Sequence, residues 1–177
     1  AGNGAVMRMA PVALFTLGDD QLLRRYALEQ ARLTHHHPLS DSACLCIGHM
    51  LHRALLGADK VALHEATREL IRLHPNFRFN RYNGQASGYV VDTLRTVFHH
   101  FFTTTTFEEC LISVVNQGGD ADTTGAIAGM LAGAHYGRQA IPESWVRKLD
   151  GQVRWEVEAG AETLIRLSPW WRSPNAA

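Results

Sequence analysis

Asn116-Gln117-Gly118-Gly119-Asp120-Ala121-Asp122-Thr123-Thr124-Gly125 runs without a break into Ala126-Ile127-Ala128-Gly129-Met130-Leu131-Ala132-Gly133-Ala134. Two glycines, two carboxylates spaced two apart and two hydroxyls stand at the head of a helix-like segment. Glycine lets a backbone turn tightly and come close to a ligand. Carboxylate and hydroxyl oxygens are hard donors that suit Mg2+ or Mn2+ rather than zinc or copper, and no soft donor lies beside them. The plainer reading is an ordinary helix start: Asp and Thr are favoured caps, and an anion there gains about 0.3–1 kcal/mol from the helix dipole. One cap suffices for a helix, however, and four of the five side chains from Asp120 to Thr124 carry oxygen.

The segment that follows narrows the fold. Gly125, Gly129 and Gly133 each cost about 1 kcal/mol against alanine inside a helix. That burden predicts a helix at the centre of a bundle, with neighbours crossing close to its backbone. Outward from it, helical periodicity dominates. An apolar helix is expected over Ala5–Thr16. A second, capped by Asp19 or Asp20, carries the stripe Leu22, Leu23, Tyr26, Ala27, Gln30 and Leu33 and stops near His37, before Pro38. A third, capped by Ser40 or Asp41, runs to Leu55 and is stopped by Gly57. Further helices are expected over Lys60–Leu73, Ala86–Phe102, Phe107–Val115, Thr123–Tyr136 and Gln152–Leu167. No stretch reads convincingly as a strand, so the fold class is all-α, in one domain without a dividing linker. Residues 168–177, with Pro169, Trp170, Trp171 and Pro174, read as a tail without assigned structure.

Composition excludes several functions. Lys plus Arg and Asp plus Glu both number 17. With no basic excess and no polybasic run, neither a nucleic-acid groove nor a charged membrane-binding surface is expected. No apolar run reaches the roughly 18 residues of a membrane span. Cys44, Cys46 and Cys110 form no CxxC pair and read as small core residues in a reducing cytoplasm. Nothing in Ala1–Ala10 reads as an initiation region or a signal peptide, and the expectation is a part of a longer protein.

The stretch Val115–Gly129 resembles the C-terminal metal motif of the ADP-ribosylglycohydrolase family. Gly2-Asn3-Gly4-Ala5-Val6-Met7-Arg8 resembles that family's phosphate-side glycine loop. Thr34-His35-His36-His37-Pro38 and Gly84-Gln85-Ala86-Ser87-Gly88-Tyr89-Val90-Val91-Asp92-Thr93-Leu94 match further blocks in the family's order. The resemblance implies a compact orthogonal helical bundle with a central di-metal cleft. Residues 1–167 would be the C-terminal portion of a single domain. It implies two Mn2+ or Mg2+ ions, with Asp120, Asp122 and Thr123 as ligands and Asp122 bridging the pair. It implies contacts to ADP-ribose from Asn3, Gly4, His35, Tyr89, Gly118 and Gly119. The family's Thr-Asp-Asp motif and its proton-transfer carboxylate are not among these 177 residues. Both are therefore expected in an N-terminal part of the same protein, the catalytic residue is unassigned here, and the 177 residues alone are expected to be inactive.

The activity implied is hydrolysis of the N-glycosidic bond between ADP-ribose and an arginine side chain. The wording of Thr34–Cys44 and Leu111–Gly137 is similar to a member that regulates nitrogen fixation. That similarity implies ADP-ribosylated dinitrogenase reductase as the target and a PII-type signalling protein as a further partner. It also implies a cytoplasmic location with reversible membrane association through a partner. Two alternatives stay open: a member that binds ADP-ribose or packs structurally without turnover, and a hydrolase for another linkage such as ADP-ribosyl-serine. Plainer readings of single residues stay open as well. His35 can serve a helix C-terminus, Asn3-Gly4 can be a simple turn, and Tyr89 can be core. Trp145, Trp155, Trp170 and Trp171 read as packing residues.

Overall fold

The computed structural model describes residues 1–82, 84 and 86–173, and within them the protein is helical throughout. Ten α-helices follow one another: α1 Met9–Thr16, α2 Asp20–Arg32, α3 Pro38–Leu55, α4 Lys60–Leu73, α5 Val90–Thr103, α6 Phe107–Val115, α7 Ala121–Tyr136, α8 Glu143–Val146, α9 Gly151–Leu167 and α10 Pro169–Arg172. The extended pairing among the described residues is a single antiparallel bridge between Gly2 and Tyr89. None of these helices is long and apolar enough to cross a membrane.

Capping residues explain most helix starts. Asp19, Asp59, Thr106 and Asp150 each accept a backbone N–H from the first turn of α2, α4, α6 and α9, satisfying donors that a helix leaves orphaned. Three expectations need correction. The helix expected over Ala5–Thr16 is a 3-10 turn, Val6–Arg8, followed by α1. Pro11 is the reason: it lacks an N–H, and restarting the helix at Met9 puts it in the first turn, where none is needed. The third helix starts at Pro38, capped by His37, whose Nδ1 accepts Leu39 N at 3.1 Å, rather than by Ser40 or Asp41. Proline suits the first position of a helix, and the preceding helix already ends at Arg32. The helix expected from Ala86 starts at Val90 because the residues before it pair with the chain's opening: Asn3 N donates to Gly88 O and Val90 N to Ala1 O.

The core is built around α3, which buries Ala43, Cys44, Ile47, Met50, Leu51 and Ala54 among others and is enclosed by α1, α2, α4, α5 and α7. Phe98 and Phe101 of α5 and Phe77 of the preceding turn are wholly buried beside it. The glycine-rich α7 packs on α3, α5 and α6, so the centre is shared between it and α3. Its glycines face α6 in antiparallel register, Gly125 on Val115, Gly129 on Leu111 and Gly133 on Phe107. The approach is close only at the first: a Cβ on Gly125 would meet Val115 Cγ2 at 3.2 Å, whereas Gly129 and Gly133 leave 3.7 and 4.0 Å.

The three cysteines are free and buried. Burial pushes the thiols of Cys44 and Cys46 up to about 12, which keeps them out of thiolate chemistry. The tail is ordered through Ser173. Ser168 caps α10, and Trp170 N donates to Leu17 O at 2.8 Å, fastening α10 to the α1–α2 turn. Pro174 and the last three positions lie outside the described residues, as does Gln85 of the block quoted above.

Candidate active site

The site forms where four segments meet at the N-terminal end of α7. Asp120 occupies the N-cap position of that helix, yet its side chain makes no capping hydrogen bond. Its Oδ2 instead accepts Asn3 Nδ2 at 2.6 Å, across 117 positions of sequence. The same Asn3 nitrogen donates to Thr93 Oγ1 of α5 at 2.9 Å. Asn3 is buried at 7% exposure, so its two amide hydrogens are committed in fixed directions. Thr93 Oγ1 in turn hydrogen-bonds the carbonyls of Ser87 and Tyr89. Ser87 Oγ donates to Asp92 Oδ2 at 2.7 Å and accepts Tyr89 N, closing the turn into α5.

Asp120 is not the helix cap that the plainer reading expects. Five other helices in the chain use an Asp, Thr or Ser side chain as their cap. Asp120, in the same position, caps no backbone N–H of its helix and accepts instead from Asn3 of another segment. The Asn3 amide holds the Asp120 carboxyl below the usual aspartate range, helped by the Thr123 hydroxyl and outweighing partial burial. Asp120 is therefore ionised and aimed. Asp122 is exposed in the first turn of α7. Thr123 is buried at 8% exposure, with Met7 Sδ 3.9 Å from its Oγ1.

The glycine pair before Asp120 lies in left-handed conformation, φ +69° at Gly118 and +61° at Gly119. At Gly119 a Cβ would stand 2.0 Å from the Ala86 carbonyl oxygen, so no side chain fits. Gly118 sits on the outside of the turn with open space around it. His35 lies over the opening loop: a Cβ on Gly4 would be 2.8 Å from ring Cε1, and one on Gly2 2.9 Å from Cδ2. Tyr89 is bridged to Gly2 and keeps 41% of its surface exposed at the rim. The structure thus brings Asn3, Gly4, His35, Tyr89, Gly119, Asp120 and Thr123 to one end of the bundle. Asp122 is exposed beside them and helps to lower the Asp120 carboxyl, whereas a side chain at Gly118 would meet only open space.

Thr93, Ala86 and Met7 were not singled out from sequence. A buried hydroxyl at Thr93, beside the buried Val90, Leu94 and Val97, is the signal that points to it. Ala86 and Met7 carry no chemistry of their own, and their proximity comes from the fold alone.

As a metal site the donor set has the right chemistry and an incomplete count. Two carboxylates and a hydroxyl are oxygen donors that fit Mg2+ or Mn2+. The uncapped Asp120 carboxylate is what a ligand position requires. Among the described residues no third acidic, histidine or cysteine side chain joins the group.

The profile of the ADP-ribosylglycohydrolase family matches residues 1–174. The chain belongs to the ADP-ribosylglycohydrolase family. It is 52% identical over 168 residues to the ADP-ribosyl-[dinitrogen reductase] glycohydrolase of Rhodospirillum rubrum, covering 95% of this chain and 57% of that protein. It is 34% identical over 178 residues to the ADP-ribosylarginine hydrolase Tri1 of Pseudomonas putida strain GB-1, covering 96% of this chain and 47% of that protein. A solved structure described as an ADP-ribosylglycohydrolase-related protein complex superposes with a TM-score of 0.86 at 39% identity, covering 94% of this chain and 60% of that one. The chain spans about half the length of the curated relatives it matches. In this member of the family the acidic motif stands beside the opening glycine loop, the turn into α5 and His35.

Proposed function

We propose that these residues form part of an enzyme that hydrolyses the N-glycosidic bond between ADP-ribose and an arginine side chain, with two Mn2+ or Mg2+ ions. The observation that carries the reading is Asp120, an N-cap aspartate withheld from its own helix and held ionised by Asn3. Asp120, Asp122 and Thr123 would hold the metal. The ions would orient a water against the ribose and offset developing charge. Every other contribution assigned here comes from the chain. Asn3 keeps the Asp120 carboxylate charged and aimed. The Gly2–Gly4 loop and His35 receive the diphosphate, Gly118 and Gly119 let the turn pass close to the ligand, and Tyr89 offers an aromatic face to the adenine. The bond that breaks lies at the anomeric carbon, where oxocarbenium character develops. The carboxylate that moves the proton, and the remaining metal ligands, belong to an N-terminal part of the same protein.

The names of the Rhodospirillum and Pseudomonas relatives support arginine as the linkage. We assign the target as ADP-ribosylated dinitrogenase reductase, with a PII-type signalling protein as a partner and the cytoplasm as the location. The test is release of ADP-ribose from ADP-ribosyl-arginine and from ADP-ribosylated dinitrogenase reductase by the full natural protein with Mn2+. Chelation should stop turnover and Mn2+ restore it, while residues 1–177 alone should give none. Turnover that survives both chelation and Asp122→Ala overturns the reading, and release from ADP-ribosyl-serine alone overturns the linkage.

A further inference from the structure

His35 is tied to a group that the proposed reaction leaves unused. Arg8 Nη2 donates to Thr34 Oγ1 at 2.8 Å. The same guanidinium reaches Gln30 Oε1, from Nε at 3.4 Å and from Nη2 at 3.3 Å. Gln30 Nε2 donates to the carbonyl of Ala5 at 3.1 Å, at the foot of the opening loop. Thr34 Oγ1 stands 2.7 Å from His35 Nδ1. A closed circuit therefore runs from the loop through Gln30, Arg8 and Thr34 to His35, whose ring returns over Gly2 and Gly4.

The Arg8 end of the circuit has a fixed direction. A guanidinium only donates, so Thr34 Oγ1 accepts from Arg8. With one lone pair taken, the threonine hydroxyl keeps its one hydrogen for the ring nitrogen 2.7 Å away, His35 Nδ1. A cationic donor polarises the hydroxyl and strengthens it as a donor in turn. A neutral imidazole that accepts at Nδ1 carries its hydrogen on Nε2. That edge of the ring faces the glycine loop, and no hydrogen bond from a described residue reaches His35 Nε2.

We infer that Arg8 and Thr34 are positioning residues that fix His35 as an Nε2–H donor over the glycine loop, ready for an anionic oxygen. The ligand this serves is the diphosphate of the preceding subsection, and the inference rests on that reading for the ligand alone. The absence of side chains at Gly2 and Gly4 has the same purpose, because a methyl at either would push the ring off its line.

The test has two arms. With histidine 15N-labelled in the full natural protein at about pH 8, where a free imidazole is neutral, long-range proton–nitrogen spectra report which ring nitrogen of His35 carries hydrogen. We expect hydrogen on Nε2 in the wild type and in Thr34→Ser, and a mixture of tautomers in Thr34→Val and Arg8→Met. Both substituted positions, Arg8 and Thr34, are exposed, and circular dichroism checks that the variants fold. Hydrogen on Nδ1 in the wild type, or unchanged spectra in both disruptive variants, overturns the inference. In the second arm, ADP-ribose and inorganic pyrophosphate are titrated calorimetrically into the same proteins. Thr34→Val should weaken both by about five- to tenfold, the scale of one misdirected hydrogen bond. Thr34→Ser should stay within about twofold, and Thr34→Val should add nothing once His35 is alanine. A wild type that binds neither probe overturns the diphosphate reading of the loop, and the spectra then decide the Arg8–Thr34 circuit alone.

Discussion

At the scale of single residues, chemistry is set by where one hydrogen bond goes. Asn3 spends its amide on Asp120 and Thr93, and the Asp120 carboxyl is lowered because of it. A carboxyl lowered in the fold adds stability above its unfolded value and loses it as pH falls through the folded one. Asn3→Ala should return the Asp120 carboxyl toward the ordinary aspartate range, as read by carboxyl NMR, and flatten that part of the acid-side stability loss. Asp122→Ala in the full natural protein should abolish tight Mn2+ binding by titration calorimetry, the outcome the proposed ligand set requires; undiminished metal content would remove Asp122 from that set. His52 has the same sign from a different cause. Its Nε2 donates to Ala13 O at 3.0 Å inside the core, and burial lowers its pKa. The fold therefore favours the neutral ring, and stability should drop as pH falls from about 7 to 5. His52→Gln, which keeps a donor and cannot be protonated, should show a smaller drop in urea unfolding over that interval.

At the scale of elements, the sequence was most legible where one local signal sufficed. Lys60–Leu73 and Phe107–Val115 were readable to the residue because Asp59 and Thr106 cap them and an apolar stripe fills each helix. Misjudged starts had a competitor for the backbone: Pro11 in the first turn of α1, Pro38 at the head of α3, and pairing with residues 1–3 ahead of α5. The α7 glycines were legible as a helix burden but not as three different cases. Alanine should stabilise the protein by about 0.5–1 kcal/mol at Gly129 and again at Gly133, where the space exists. At Gly125 the 3.2 Å contact with Val115 should cancel most of that gain. Urea denaturation of the three single variants tests the ranking, and an equal gain at all three would show that packing plays no part. Of the site, the acidic motif, the glycine loop and His35 were legible as types in order. The contact between Asn3 and Asp120 was not, because no periodicity encodes a pairing 117 positions apart.

At the scale of the whole molecule, α9 stands apart. It buries no residue, and Val153, Trp155 and Val157 on its first half are 51%, 64% and 65% exposed. The bundle proper lies in α1–α7, with Phe98 and Phe101 at its centre. Phe98→Ala should cost about 3–5 kcal/mol in urea unfolding, whereas Trp155→Ala should leave stability within about 0.5 kcal/mol. A large loss from Trp155→Ala in residues 1–177 would mean that α9 is packed more firmly than its exposure shows.

The clamp of Asn3 between Thr93 and Asp120 also has a history in time. Its two hydrogen bonds close loops of 90 and 117 residues, whereas the helices need only contacts within a few positions. Distant closures are entropically expensive and come late in folding. On refolding, helical signal should therefore return before the depressed Asp120 titration does. A chain caught between those two moments would be a nearly complete bundle with an unset carboxylate, helical by every spectroscopic measure and still lacking the contact between Asn3 and Asp120.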